Sequence, residues 1–210
     1  MRIGIDFDNT IVSYDALFHK VACEKELINS TVSKNKLAVR DFLRANDQEN
    51  IWIELQGYVY GARMSEAEAY PDAIDMIQRL VKAGHTLAII SHKTKYPYRG
   101  PHYDLHAAAR AWVERYLYID GHALIPNNQL FFELTKEEKI ARITEFDCHV
   151  FIDDLPEILL AIEIPKNIRR FLFDPDAHFT GKNSHLYKVD DGIRGNVDII
   201  HSWLKLEQLL

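Results

Sequence analysis

The chain has 210 residues, 47% of them hydrophobic and 27% charged; this composition excludes disordered and fibrous classes and suits one α/β domain carrying a small insertion. Its formal charge of −6 argues against a general nucleic-acid binder, which needs a basic face, and no run of about 18 apolar residues offers a membrane span. Two cysteines, Cys23 and Cys148, are too few for a disulfide framework and lack metal-ligand spacing. With no signal-peptide pattern after Arg2, a cytoplasmic, reduced protein is the expectation.

The first element is Ile3–Phe7 in MRIGIDFDNT, where Ile3 and Ile5 alternate with Gly4 and lead into Asp6 and Asp8. It reads as a short buried strand that ends in two carboxylates. Charge at a sheet edge is costly to desolvate without a counter-ion. DFDNT therefore asks for a metal or an anion-handling site, or more plainly marks a turn in which Asp8-Asn9-Thr10 caps the next helix. From Ser13 to Met64 run roughly three helical patterns, DALFHKVACEKEL, KNKLAVRDFLRAN and QENIWIELQGYVY, and no convincing strand. This stretch reads as an inserted helical cap, residues 13–64, on a core formed by residues 1–12 and 65–210. It leaves the sheet just after DFDNT and returns before Pro71, so it is expected over the C-terminal edge of the first strand, where open α/β sheets bind ligands. Trp52, Tyr58 and Tyr60 read as its core aromatics. Arg40, Arg44 and Arg63 read as surface charges or as groups that reach a leaving group.

Beyond the insertion, PDAIDMIQRLVKAG predicts a helix with Pro71 in its first turn, Ile74, Ile77, Leu80 and Val81 in one stripe, and Gly84 at its C-terminal cap. Thr86–Ile90 is the second strand and ends at Ser91. The basic loop His92–His102, with Lys93, Lys95 and Arg99, is either a receptor for a second anionic group or an exposed patch that offsets an acidic surface. A helix is expected from Pro101 to about Leu117. His102 and His106 have i, i+4 spacing there, but two histidines without a third ligand suit capping or packing better than zinc. Gln129–Glu133 is the third strand. The helix after it opens with TKEE, a capping box between Thr135 and Glu138, and buries Ile140, Ile143 and Phe146. His149–Ile152 and Arg170–Phe173 complete five strands separated by helices, which predicts a Rossmann-like three-layer parallel sheet with crossover helices. Past Phe173 no signature is visible.

Parallel strands bring their C-terminal ends to one side. Ser91, the pair Asp153-Asp154 and a lysine of the Thr135 helix should therefore converge on Asp6 and Asp8. The ordered set Asp6-Phe7-Asp8-Asn9-Thr10, Ser91, Lys136 or Lys139, and Asp153-Asp154 resembles the four signatures of haloacid-dehalogenase (HAD) superfamily phosphohydrolases. The resemblance runs from Met1 to about Phe173, and the insertion matches that superfamily's helical C1-type cap position.

What the resemblance implies has a chemical rationale at each residue. Asp6 is the nucleophile, since a carboxylate attacks phosphorus without prior deprotonation. Asp8 is the general acid and later the base that activates water. Thr10, Ser91, His92 and Lys93 are the implied substrate-binding groups, with Ser91 donating to a phosphoryl oxygen. Mg²⁺ is implied on Asp6, the main-chain carbonyl of Asp8 and the Asp153/Asp154 pair, because it prefers hard oxygen ligands. Lys136 and Lys139 share roughly one helix face, and either can offset the charge on Asp6; the place of Lys139 beside the buried Ile140 favours it. Asp153 is the favoured direct ligand of its pair. The implied activity is Mg²⁺-dependent hydrolysis of a small phosphorylated metabolite, a sugar phosphate or a nucleotide, through an aspartyl-phosphate on Asp6. A phosphomutase using the same residues and a retired binding module are the alternatives. No nucleic-acid or membrane partner is expected, and the oligomeric state is left open.

Overall fold

A computed structural model of the chain describes residues 1–179 and 197–210. Six strands, β1 (Arg2–Ile5), β2 (Thr86–His92), β3 (Leu130–Glu133), β4 (Val150–Asp153), β5 (Arg169–Phe173) and β6 (Val197–Ile200), form one sheet in the order β6-β5-β4-β1-β2-β3. Every pairing in it is parallel. The chain builds outward from β1 to β3, then crosses to β4 and builds the other way, so the strand order reverses beside β1. That reversal is where doubly wound sheets open a crevice at the strands' C-terminal ends. The expected Rossmann-like core is therefore present. β6 was not anticipated: VDII is a four-residue edge strand without clean alternation. Part of the segment past Phe173, residues 180–196, lies outside the described residues.

Central strands of a parallel sheet are covered on both faces and read as continuous apolar runs. On one face, Ala88, Ile90, Phe151 and Leu172 pack under Ile143 of α6 (Lys136–Glu145) and Ile158 and Leu159 of α7 (Pro156–Leu159). Phe173, one residue on from Leu172, faces the other way. Its ring centroid lies 5.8 Å from that of Trp203 in α8 (Trp203–Glu207). α8 in turn contacts α4 (Ala73–Lys82). Gly4 in β1 is required by close packing, since a Cβ there would sit 2.8 Å from Cys148 Sγ and 2.8 Å from the Phe151 ring. Burial pushes the Cys148 thiol up to about 12, as for an inert core cysteine.

Several helices differ in detail from expectation. α4 starts at Ala73, after Asp72 in the left-handed region (φ 64), so Pro71 stands outside it. Its buried residues are Ala73, Met76, Ile77 and Leu80; Ile74 and Val81 are only half-buried. α5 (Leu105–Tyr116) begins after Pro101 because the Asp104 carboxylate accepts the Ala107 N–H at 2.9 Å. The Thr135–Glu138 capping box of α6 is present with both reciprocal bonds.

Two compact units divide the chain. The sheet unit comprises Met1–Ile11, Ala69–His92 and Leu117–Leu210, and the helical unit comprises Val12–Glu68 and Lys93–Tyr116. The helical unit holds α1 (Asp15–Glu24), α2 (Lys36–Ala45), α3 (Glu49–Tyr60) and α5. It thus takes in residues 93–116, beyond the expected 13–64. The reason is local packing of that segment. Cβ atoms at Gly57 and Gly61 of α3 would collide with Pro97 and Tyr103, Arg99 pairs with Glu54 at 2.7 Å, and the buried Trp112 indole donates to Ala67 O at 2.8 Å. Within the unit Phe18 packs at a tilt on Trp52 and meets Tyr60 edge-on, while Arg40, Arg44 and Arg63 pair with Asp41, Glu49, Glu24 and Glu66. No helix among the described residues is long and apolar enough to cross a membrane.

Candidate active site

Strand register places the acids. The β1 ladder ends with Ile5 paired to Ile152 on one side and to Ile89 on the other, so the next residues, Asp6 and Asp153, emerge side by side at the C-terminal edge. The Asp6 N–H donates to Ile152 O at 2.9 Å and keeps that alignment one residue past the strand. Asn9 then takes a left-handed conformation (φ 59), which asparagine tolerates, and the Ile11 N–H closes the turn on Phe7 O at 3.1 Å. Carboxylate oxygens of Asp6, Asp153 and Asp154 lie within 4.8 Å of one another.

Lys139 enters this group from the first turn of α6. Its ammonium sits 2.6 Å from Asp6 Oδ1 and 2.6 Å from Asp153 Oδ2, with the lysine 1% exposed and Asp153 fully buried. Burial alone lowers the pKa of Lys139, but Asp153 and Asp6 outweigh it and hold the ammonium charged. Burial raises the pKa of Asp153, and Lys139 opposes that rise. Asp153 Oδ1 also accepts the Leu155 N–H at 3.0 Å, which fixes its rotamer. The ammonium is thus held between two of the three carboxylates. A donor set made of carboxylate oxygens suits a hard divalent cation.

Two hydroxyls complete the edge. Ser91 near the end of β2 is 1% exposed and Thr10 is fully buried, yet neither Ser91 Oγ nor Thr10 Oγ1 has a hydrogen-bond partner among the described residues. Buried hydroxyls are ordinarily paired, so both retain hydrogen-bonding capacity that the described residues do not use. Asp8 is half-buried in the loop after Asp6, and its carboxylate is outside the three-acid cluster.

The other candidates stand on α6, at the end of β2 and in the helical unit. Lys136, one turn before Lys139, is exposed and pairs with Glu157. His92 ends β2, half-buried. Lys93 belongs to the helical unit, 4.9 Å from the Tyr60 ring centroid. His106 Nε2 donates to Lys93 O at 2.7 Å and His102 packs on Tyr96, so both serve packing and hydrogen bonding. Sequence reasoning missed Trp203, whose indole N–H donates to Thr10 O at 3.1 Å; 193 residues separate the two, and no local pattern announces such a bond.

No protein-family model matches the chain. A Bacillus cereus protein named "Putative nucleotidase" is 23% identical over 216 residues, covering 100% of this chain and 98% of its own. Among solved structures, a HAD-family hydrolase from Deinococcus radiodurans with bound phosphate and sodium superposes with a TM-score of 0.57 at 13% identity, covering 99% of this chain and 93% of that one. A HAD-superfamily hydrolase from Ehrlichia chaffeensis gives 0.54 at 10% identity, covering 99% and 94%. The parallel sheet with its reversal at β1, and these superpositions over nearly the whole chain, show that the protein has the fold of the HAD-superfamily hydrolases.

Proposed function

We propose that the protein is a Mg²⁺-dependent phosphomonoester hydrolase of the HAD superfamily, acting on a small phosphorylated metabolite, with nucleotides the first class to test. The observation that carries this reading is the buried Lys139 ammonium held at 2.6 Å from both Asp6 and Asp153. A fold has little reason to bury that many like charges unless they do chemistry there. The choice of nucleotides rests on the name of the Bacillus cereus relative.

Asp6, whose carboxylate accepts from the Lys139 ammonium at 2.6 Å, attacks phosphorus through a carboxylate oxygen and becomes an aspartyl-phosphate. Asp8 gives its proton to the departing alcohol oxygen, then takes one from the water that hydrolyses the intermediate. Ser91 and Thr10 donate their otherwise unpartnered hydroxyls to phosphoryl oxygens. Lys139 offsets charge on Asp6 and the phosphoryl group. Asp6, Asp153 and Asp154, with the main-chain carbonyl of Asp8, are the groups assigned to Mg²⁺, which when bound reduces repulsion between an anionic nucleophile and an anionic phosphate.

Phosphate release is measured over nucleotides, sugar phosphates and acyl phosphates, with Mg²⁺ and with EDTA. Release confined to one class, lost in EDTA and lost in Asp6→Asn, is the expected result. An Asp6→Asn protein that still turns over, or a wild type that releases nothing from any member, overturns the reading.

A further inference from the structure

We infer that Trp203, on the C-terminal helix α8, is a positioning residue that holds Thr10 in place in the loop after Asp6; its consequence for turnover rests on the phosphoryl-binding role proposed for Thr10. The Thr10 side chain is fully buried and its hydroxyl has no protein partner among the described residues. A hydroxyl without a partner is not oriented by its own bonding, so its position is set by the main chain that carries it. That main chain is tied at three points: Phe7 O accepts the Ile11 N–H at 3.1 Å, Ile11 O accepts the Tyr70 N–H at 2.8 Å, and Thr10 O accepts the Trp203 indole N–H at 3.1 Å. Of these donors only Trp203 is a side chain.

The indole is itself fixed. Trp203 is fully buried, and its ring lies against Phe173, which meets Tyr70 edge-on at 4.9 Å. Tyr70 is also the residue whose N–H ties Ile11, so one aromatic group of three residues braces the loop at two successive carbonyls. α8 is a five-residue helix, too short to hold itself by hydrogen bonding alone. Its placement comes from the buried Trp203 and Leu206 and from the surface pair Arg79–Glu207 at 2.9 Å. The chain's last segment thus has a task at the opposite end of the sequence.

Trp203→Phe keeps an aromatic ring against Phe173 and removes the donor, while Leu206→Ala disturbs the packing of α8 and keeps the donor. Two readouts are taken below the melting temperatures of all variants. In amide hydrogen exchange, Trp203→Phe should speed exchange across residues 7–11 about tenfold relative to β3 amides, as expected for a lost tether of about 1.4 kcal/mol; Leu206→Ala should not. In kinetics, Trp203→Phe should lower kcat/KM about tenfold, and Trp203→Phe combined with Thr10→Val should be no worse than Thr10→Val alone, because both act through one hydroxyl. Unchanged exchange in Trp203→Phe, an equal rise in Leu206→Ala, or multiplicative losses in the double variant overturns the proposal. A wild type without phosphatase activity would sink the functional reading instead, and the exchange data would still decide the positioning.

Discussion

Replacing Lys139 with Met removes the ammonium held between Asp6 and Asp153 while keeping most of the side-chain volume. Its Nζ lies 2.6 Å from Asp6 and from Asp153, with all three residues buried. Deleting one partner of a buried pair costs about 3–5 kcal/mol, because the remaining charge has neither water nor a counter-ion. At about 2–4 °C per kcal/mol for a chain of this size, Lys139→Met should melt about 6–20 °C below wild type in EDTA at pH 8. The sign of the pH dependence follows from Asp153. Burial already holds its pKa above the usual 3.8, and Lys139 opposes that rise; without the lysine it climbs further. A carboxyl whose folded pKa exceeds its unfolded one favours folding below the unfolded value and loses that contribution as pH rises through the folded value. The deficit should therefore be smaller at pH 5 than at pH 8. Calorimetric melts of both proteins at the two pH values, with EDTA or Mg²⁺, test this. Added Mg²⁺ should recover stability in Lys139→Met without recovering turnover. Melting within about 2 °C of wild type at pH 8, or a deficit independent of pH, would refute the electrostatic account.

Lys136→Met supplies the contrast: its exposed pair with Glu157 is worth about 0–1 kcal/mol, so both melting temperature and kcat/KM should stay close to wild type. Gly4→Ala drives a methyl to 2.8 Å from Cys148 Sγ and from Phe151, and a denaturant melt should report a loss of about 1–3 kcal/mol. In the helical unit, the Arg63 hydrogen bond draws the pKa of Glu24 below 4.5 and that of Glu66 down to about 2. Such depressed groups stabilise the fold above their unfolded pKa and lose that as pH falls through the folded one. Wild type should therefore lose stability between pH 4.5 and pH 2, while Arg63→Met, already lacking the network, should show a flatter fall in far-UV melts.

The acids at the sheet edge were legible because each follows an apolar run: Ile3-Gly4-Ile5 before Asp6, and Val150-Phe151-Ile152 before Asp153. Parallel pairing then carries Asp6 and Asp153 to one edge without any knowledge of contacts. Lys139 was separable from Lys136 only through its place against Ile140, a matter of helix phase, and phase is legible wherever the buried stripe is. What stayed hidden depends on contacts distant in sequence. β6 is four residues, and its place in the sheet is fixed by pairing with β5. The grouping of 93–116 with the helical unit comes from close approach at Gly57 and Gly61, residues that in sequence read as weak helix positions. The shift of α4 by two residues comes from the left-handed Asp72, whose conformation no periodicity reports.

The two unpartnered hydroxyls bear on what the edge is for. A buried serine or threonine with no acceptor forfeits hydrogen bonding that water would have supplied, and replacing it by an apolar residue of similar shape is close to neutral for stability. Ser91 carries this penalty near the end of β2 and Thr10 in the loop that follows Asp6, and β1 and β2 are neighbours in the sheet. The acids suit a cation; the hydroxyls can donate to the acceptor oxygens of an anion or offer a lone pair to a cation, and the proposed function assigns them to the anion. On the reading proposed above, a phosphoryl group together with a divalent metal would engage both the acids and the hydroxyls. On this account Ser91→Ala should leave the melting temperature within about 2 °C of wild type while weakening the binding of inorganic phosphate measured by calorimetry in the presence of Mg²⁺. Phosphate affinity equal to wild type would detach the hydroxyls from the anion and return them to the list of tolerated packing defects.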